Sequence, residues 1–116
     1  MVDAALVAEY SRTREQHEAA SRALVPLVER MALESVAEVL PGTTALEVHG
    51  EVNEDWLPIL RIQRVLDGKG AELFHADDAP RDDAVERAID SANTEYLDLL
   101  IDLTGDEYMG TNTVER

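Results

Sequence analysis

Two pairs of side chains have the types and spacing to share a proton or a metal ion: His49 with Glu51, and His75 with Asp77. Each pair is two residues apart, which on a β-strand places both side chains on one face. Were the two strands neighbours, an imidazole–carboxylate cluster suited to acid–base work or zinc binding would form. The spacing is unspecific, because any exposed strand face carries such pairs. Neither H-x-x-x-H nor H-E-x-x-H occurs, and the third histidine, His17, falls on the flank of a helical pattern. No metal or cofactor is therefore expected.

Other catalytic chemistry has no footing. The chain lacks cysteine, which removes thiolate nucleophiles, disulfides and iron–sulfur ligation. Ser11, Ser21, Ser35 and Ser91 sit in helical patterns without an adjacent base. No G-x-x-x-x-G-K-[ST], G-x-G-x-x-G or G-x-S-x-G is present, and Gly68-Lys69-Gly70 reads as a hairpin turn. The expectation is a protein that binds and does not catalyse.

Charge is the stronger signal. The 116 residues carry a formal net charge of −15. Residues 77–116 contribute twelve acids against three bases. Such a field disfavours direct contact with nucleic acid or anionic lipid and steers the protein toward basic partners. Asp83, Glu86, Asp90, Glu95, Asp98 and Asp102 lie opposite an apolar helical stripe. An acid as late as Asp102 is mildly unfavourable near a helix C-terminus. Trp56, the only tryptophan, lies in a turn beside Pro58. It serves either as a lid on the end of the core or as an anchor for a partner, tryptophan being enriched among binding hot spots. Leu97 and Ile101 fall outside the apolar stripe of their helix and must be covered, by the chain itself or by a second copy.

These residues are positioned by elements legible from hydrophobic period. Asp3 is placed to cap a helix whose stripe is Val2, Leu6, Tyr10, Thr13, His17, Ala20 and Leu24. Pro26 kinks it or opens a second helix, along which Leu27, Val28, Met31, Val36 and Val39 continue the period. Leu40-Pro41-Gly42 ends the run. The period then becomes two. Leu46, Val48 and Val52 share one face of a strand, with Glu47, His49 and Glu51 on the other. After Asn53–Trp56, a second strand runs from Leu57 to Leu66, with Leu60, Ile62 and Leu66 inward and Arg61, Gln63 and Val65 outward. Asp67-Gly68-Lys69-Gly70 is a hairpin signal leading to a short strand, Ala71 to Ala76. Ala79-Pro80 opens the last helix, striped by Val85, Ala88, Ile89, Ala92, Tyr96, Leu99 and Leu103, and Gly105 stops it.

The expected fold class is α+β in the order α-α-β-β-β-α, a three-stranded antiparallel meander with helices packed on one face. Residues 1–105 form the single α+β domain, and 106–116 a polar C-terminal tail free to be mobile. No apolar run reaches the roughly 20 residues that span a bilayer, and the N-terminus lacks a signal-peptide pattern, so the cytoplasm is the expected location. The functional expectation is a small acidic module that masks a basic surface of a partner protein through Asp83, Glu86, Asp90, Asp98 and Asp102, anchored by Trp56. The alternatives are a homo-oligomer or assembly component joined through Leu97 and Ile101 or through an exposed edge strand, and a mimic of duplex DNA.

Overall fold

The computed structural model describes residues 2–78, 82–104 and 108–115. The fold is α+β. Helix α1 spans Ala4–Ala37 and strands β1, β2 and β3 span Thr43–Val52, Pro58–Asp67 and Glu72–His75. Helix α2 (Asp83–Ala92) leads through a π-helical turn (Asn93–Leu97) into α3 (Asp98–Thr104), and β4 spans Gly110–Glu115. The four strands form one antiparallel sheet in the order β3-β2-β1-β4. The predicted helix opening at Ala79-Pro80 and stop at Gly105 lie outside the described residues.

Helix α1 starts as its sequence requires, with Asp3 Oδ1 accepting a hydrogen bond from Ala5 N at 2.9 Å. It then runs unbroken for 34 residues with Pro26 inside, where two helices were expected. The face that carries it past the proline is tertiary: Val28, Ala32, Leu33 and Val36 are buried in the main core. That packing outweighs the lost hydrogen bond at Pro26.

The meander forms as expected, with the Asp67 hairpin joining β2 to β3. Of the three shifts in its register, at Thr43/Ala45, Glu47/Val48 and Val65/Leu66, the middle one decides orientation in a way alternation could not reveal. Glu47 pairs with Arg64, yet the next residue, Val48, pairs with Ile62, so Gln63 is an extra residue in β2. Such a bulge reverses which side chains point inward beyond it. Val65 is consequently fully buried and Leu66 only partly, the reverse of the sequence expectation. At the far end of β1, Val52 is not in the core but 48 % exposed.

The polar C-terminal segment, which the sequence reading left outside the domain, supplies the fourth strand. Gly110–Glu115 pairs with β1, and Val114, opposite Leu46, is buried. The Tyr108 hydroxyl donates to Glu29 on α1, and Asn112 Nδ2 donates to the Tyr108 carbonyl at 2.9 Å. A single inward apolar residue, Val114, was too little for periodicity to register as a strand.

The last helix holds an irregularity of its own. An α-helix advances about 100° per residue, so the extra residue of a π-turn turns everything after it back by about that amount. Leu97 and Leu100 therefore face the core and are fully buried, while Leu99, on the expected stripe, is 43 % exposed. The π-turn and the bulge meet. Asn93, the first residue of the π-turn, accepts a hydrogen bond at its Oδ1 from Ile62 N at 2.9 Å, next to the bulge.

Candidate functional site

The open face of the sheet carries His49 and His75, whereas His17 lies on α1. Strand pairing aligns Thr113, Glu47, Arg64 and His75 in one row across all four strands, and Thr111, His49 and Arg61 in another. His49 Nε2 lies 3.9 Å from Glu51 Oε2, and His75 Nδ1 lies 4.0 Å from Asp77 Oδ2. The two pairs do not converge, because β2 lies between β1 and β3. Between them sits Arg64. Its guanidinium donates to Glu47 at 3.1 Å through Nε and reaches Glu72 at 3.4 Å through Nη1. Those hydrogen bonds hold the Glu47 carboxyl below the usual carboxylate range and raise the Arg64 guanidinium.

Among the described residues, Glu72, His75 and Asp78 bring one potential ligand atom each to within 4.8 Å of one another. This grouping differs from the one His49, Glu51 and His75 would have made. Arg64 is already engaged with Glu72, and His75 Nδ1 accepts from Asp77 N at 3.1 Å. A dication there would face the Arg64 guanidinium, and only Nε2 of His75 would be clear of a backbone donor. One cleft, of about 350 Å³, lies between α1 and β4 and is lined by Pro26, Glu29, Arg30, Leu33, Thr113, Val114 and Glu115. It holds no histidine, and its Glu29 carboxylate is engaged by Tyr108.

The acidic residues form a second surface. Asp83, Asp90, Asp98 and Asp102 are exposed and Glu86 is half-buried. On an uninterrupted α-helix, Asp98 and Asp102 would lie about a quarter turn round from Asp83 and Asp90. The π-turn removes that offset, so the residue that sends Leu97 inward also lines the carboxylates up along one side of the rod. Among the described residues, Arg87 is the only cation on this rod.

Trp56 is the third surface feature and the most unusual. Its side chain is not a lid on the core: the residue is 86 % exposed. Its backbone is left-handed, with φ 63°, the only such non-glycine among the described residues. The hairpin that holds it has a twin in the same chain. Asn53 Oδ1 accepts from the amides of Asp55 and Leu57, just as Asp67 Oδ1 accepts from those of Lys69 and Ala71. Trp56 N donates to the Asn53 carbonyl as Gly70 N does to that of Asp67. At the left-handed position the second turn has Gly70, φ 78°, the residue type that adopts it without strain. The first has tryptophan, at a cost of about 1–2 kcal/mol. The parallel Asn53-x-x-Trp56 and Asp67-x-x-Gly70 was visible in the sequence, and aligning the two turns would have found it.

Trp56→Gly should accordingly leave the fold as stable as before or up to about 1 kcal/mol more stable, since relief of strain exceeds the added freedom of the unfolded chain. Urea unfolding checks it. A loss beyond about 1 kcal/mol would mean that the indole supports the fold.

The pieces define a class by architecture: a four-stranded antiparallel sheet braced on one face by a long helix and a π-interrupted helix, with an acidic rod and an outward tryptophan. No protein-family model, curated protein or solved structure matches the chain. Among the described residues, no helix is long and apolar enough to cross a membrane.

Proposed function

We propose that this protein is a cytoplasmic binding module that engages a basic surface of a partner protein. The observation that carries the reading is Trp56, an exposed indole held in a left-handed turn where the twin hairpin has glycine. Backbone strain retained at an exposed site is a recognised companion of ligand contacts, and tryptophan is among the most frequent hot-spot residues. Val52, Leu57 and Ile59 are exposed beside it, enlarging the apolar tip, while Glu51, Glu54 and Asp55 surround that tip with negative charge. The chemistry suits an apolar pocket rimmed by arginine or lysine, where indole stacking and charge pairing reinforce each other.

The acidic rod extends the same preference. Asp83, Glu86, Asp90, Asp98 and Asp102 supply a field that attracts a basic partner and is screened by salt. The test is affinity capture from source-cell lysate with wild type, Trp56→Gly and an Asp90→Lys/Asp98→Lys double variant, at low and high salt. A basic partner held by wild type at low salt should be released at high salt. Charge reversal should weaken its capture at least tenfold, and Trp56→Gly should weaken it without lowering thermal stability. An unchanged set of bound proteins with both variants would overturn the reading.

A further inference from the structure

The first half of α1 projects beyond the body of the molecule. Every residue from Val2 to Ala20 is exposed, and the helix, about 51 Å long at 1.5 Å per residue, gives the molecule extents of 63 × 31 × 21 Å. The radius of gyration is 17.6 Å, against roughly 13 Å for a compact chain of this length. Accessible surface is 7770 Å², whereas a compact monomer of this mass exposes about 6,300 Å². The excess, about 1,500 Å², exceeds the roughly 800 Å² that each partner buries in a standard protein interface. The overhang's nearest approach to the body is at His17 and Glu18, which line a shallow cleft with Asp102 and Leu103; most helix stability in proteins comes from packing of an amphipathic face, which the stretch before them lacks.

The overhang also has a seam. Leu6, Tyr10, Thr13, His17, Ala20, Leu24, Leu27 and Met31 alternate steps of four and three, the spacing of a coiled-coil interface. Leu6, Tyr10, Leu24, Leu27 and Met31 are 46–64 % exposed. The seam is not the face on which α1 meets the sheet. That face is Val28, Ala32, Leu33 and Val36, on another side of the helix, so the seam stays open even where α1 is anchored.

The geometry points to a second copy of this chain as the occupant, its α1 packed antiparallel along this seam. Charge selects a copy. In a protein of net charge −15, residues 2–24 carry four acids and three arginines, so this stretch is the part that does not repel itself. Charge also selects the orientation. A parallel pair would press two strongly acidic bodies together. An antiparallel pair with His17 beside Ala20 of the other chain sets the centres of the anchored stretches, Val28–Val36, about 40 Å apart, well beyond the screening length of about 8 Å. The same register stacks Leu6 against Met31, Tyr10 against Leu27 and Thr13 against Leu24, and brings Glu9 toward Arg30. This association uses neither Leu97 nor Ile101 and goes beyond the partner-binding reading.

Sedimentation equilibrium on the full chain should report twice the 12.8 kDa chain mass, with association persisting in high salt. Leu6→Asp with Tyr10→Asp lies wholly on the overhang and cannot disturb the core, and it should weaken association at least tenfold. Leu24→Asp with Leu27→Asp should do the same while retaining the cooperative melt of the sheet. Orientation is read by mixing L6C and M31C proteins, since the chain has no cysteine of its own. Mixed disulfide dimers are expected, and neither variant should cross-link alone. A monomer at every concentration, a dimer indifferent to both aspartate pairs, or efficient cross-linking of M31C with itself would overturn the proposal. Capture of a basic partner through Trp56 stands or falls separately.

Discussion

Leu97→Asp should leave no folded protein at room temperature. Leu97 is fully buried and belongs to the central cluster with Ile62, Leu100 and Val36. Truncating such a leucine to alanine costs about 2–5 kcal/mol. An aspartate adds a carboxylate with no partner, whose burial costs several kcal/mol more. Domains of this size are stable by only about 5–15 kcal/mol, so the sum reaches the whole margin. Circular dichroism and urea unfolding check it, with Leu97→Ala as the measurable intermediate. The outcome also separates two roles. A side chain at an interface between copies would tolerate aspartate in the monomer and lose only association, so a folded, cooperative Leu97→Asp would return this residue to the surface. Ile101, partly buried against the same core, should show a smaller form of the effect.

Gly50→Ala is expected to cost about 3 kcal/mol or more, at the upper end of overpacking effects, and to lower the melting temperature by roughly 15 °C. A Cβ at Gly50 would overlap the Tyr108 carbonyl oxygen and meet Leu60 Cδ2 at 2.8 Å. The leucine can rotate, but the carbonyl belongs to backbone tied down on both sides. Tyr108 donates its hydroxyl to Glu29, and its carbonyl accepts from Asn112. Moving 108–110 aside therefore loosens the start of β4 and its link to α1. Hydrogen exchange should show β4 amides losing protection before those of β1 and β2. A change of stability within about 0.5 kcal/mol would mean that the Tyr108 segment yields freely.

These positions mark where periodicity stops being informative. The strand pattern from Leu46 to Val48 and the helical stripe from Val85 to Ala92 were legible because alternation and the 3.6 period report directly on one-sided burial. The same arithmetic failed after Ile62 and after Ala92, where one inserted residue reverses or rotates every later side chain of its element. It failed at Gly110–Glu115 because a short strand with one buried residue needs its partner to be recognised. The candidate site divided in the same way. The carboxylates and Trp56 were identifiable by type. Their alignment along one side of the rod came from the π-turn, and the strain at Trp56 from the hairpin.

By itself the sequence determined the composition of the surface and the period of most elements. It set an acidic molecule with an aliphatic core, a capped N-terminal helix, a β-meander with two Asx-led hairpins, and an amphipathic last helix. These are local properties, carried by side-chain polarity at short spacing. Only the tertiary structure decided that Pro26 leaves α1 unbroken, that β4 closes the sheet beside β1, and that the bulge at Gln63 meets the π-turn at Asn93. Each depends on contacts between residues distant in the chain, whose free energy outweighs local preference. The exposed seam of α1 belongs to both levels: its spacing is written in the sequence, and its exposure along Val2–Ala20 emerges only once the rest of the chain has folded elsewhere.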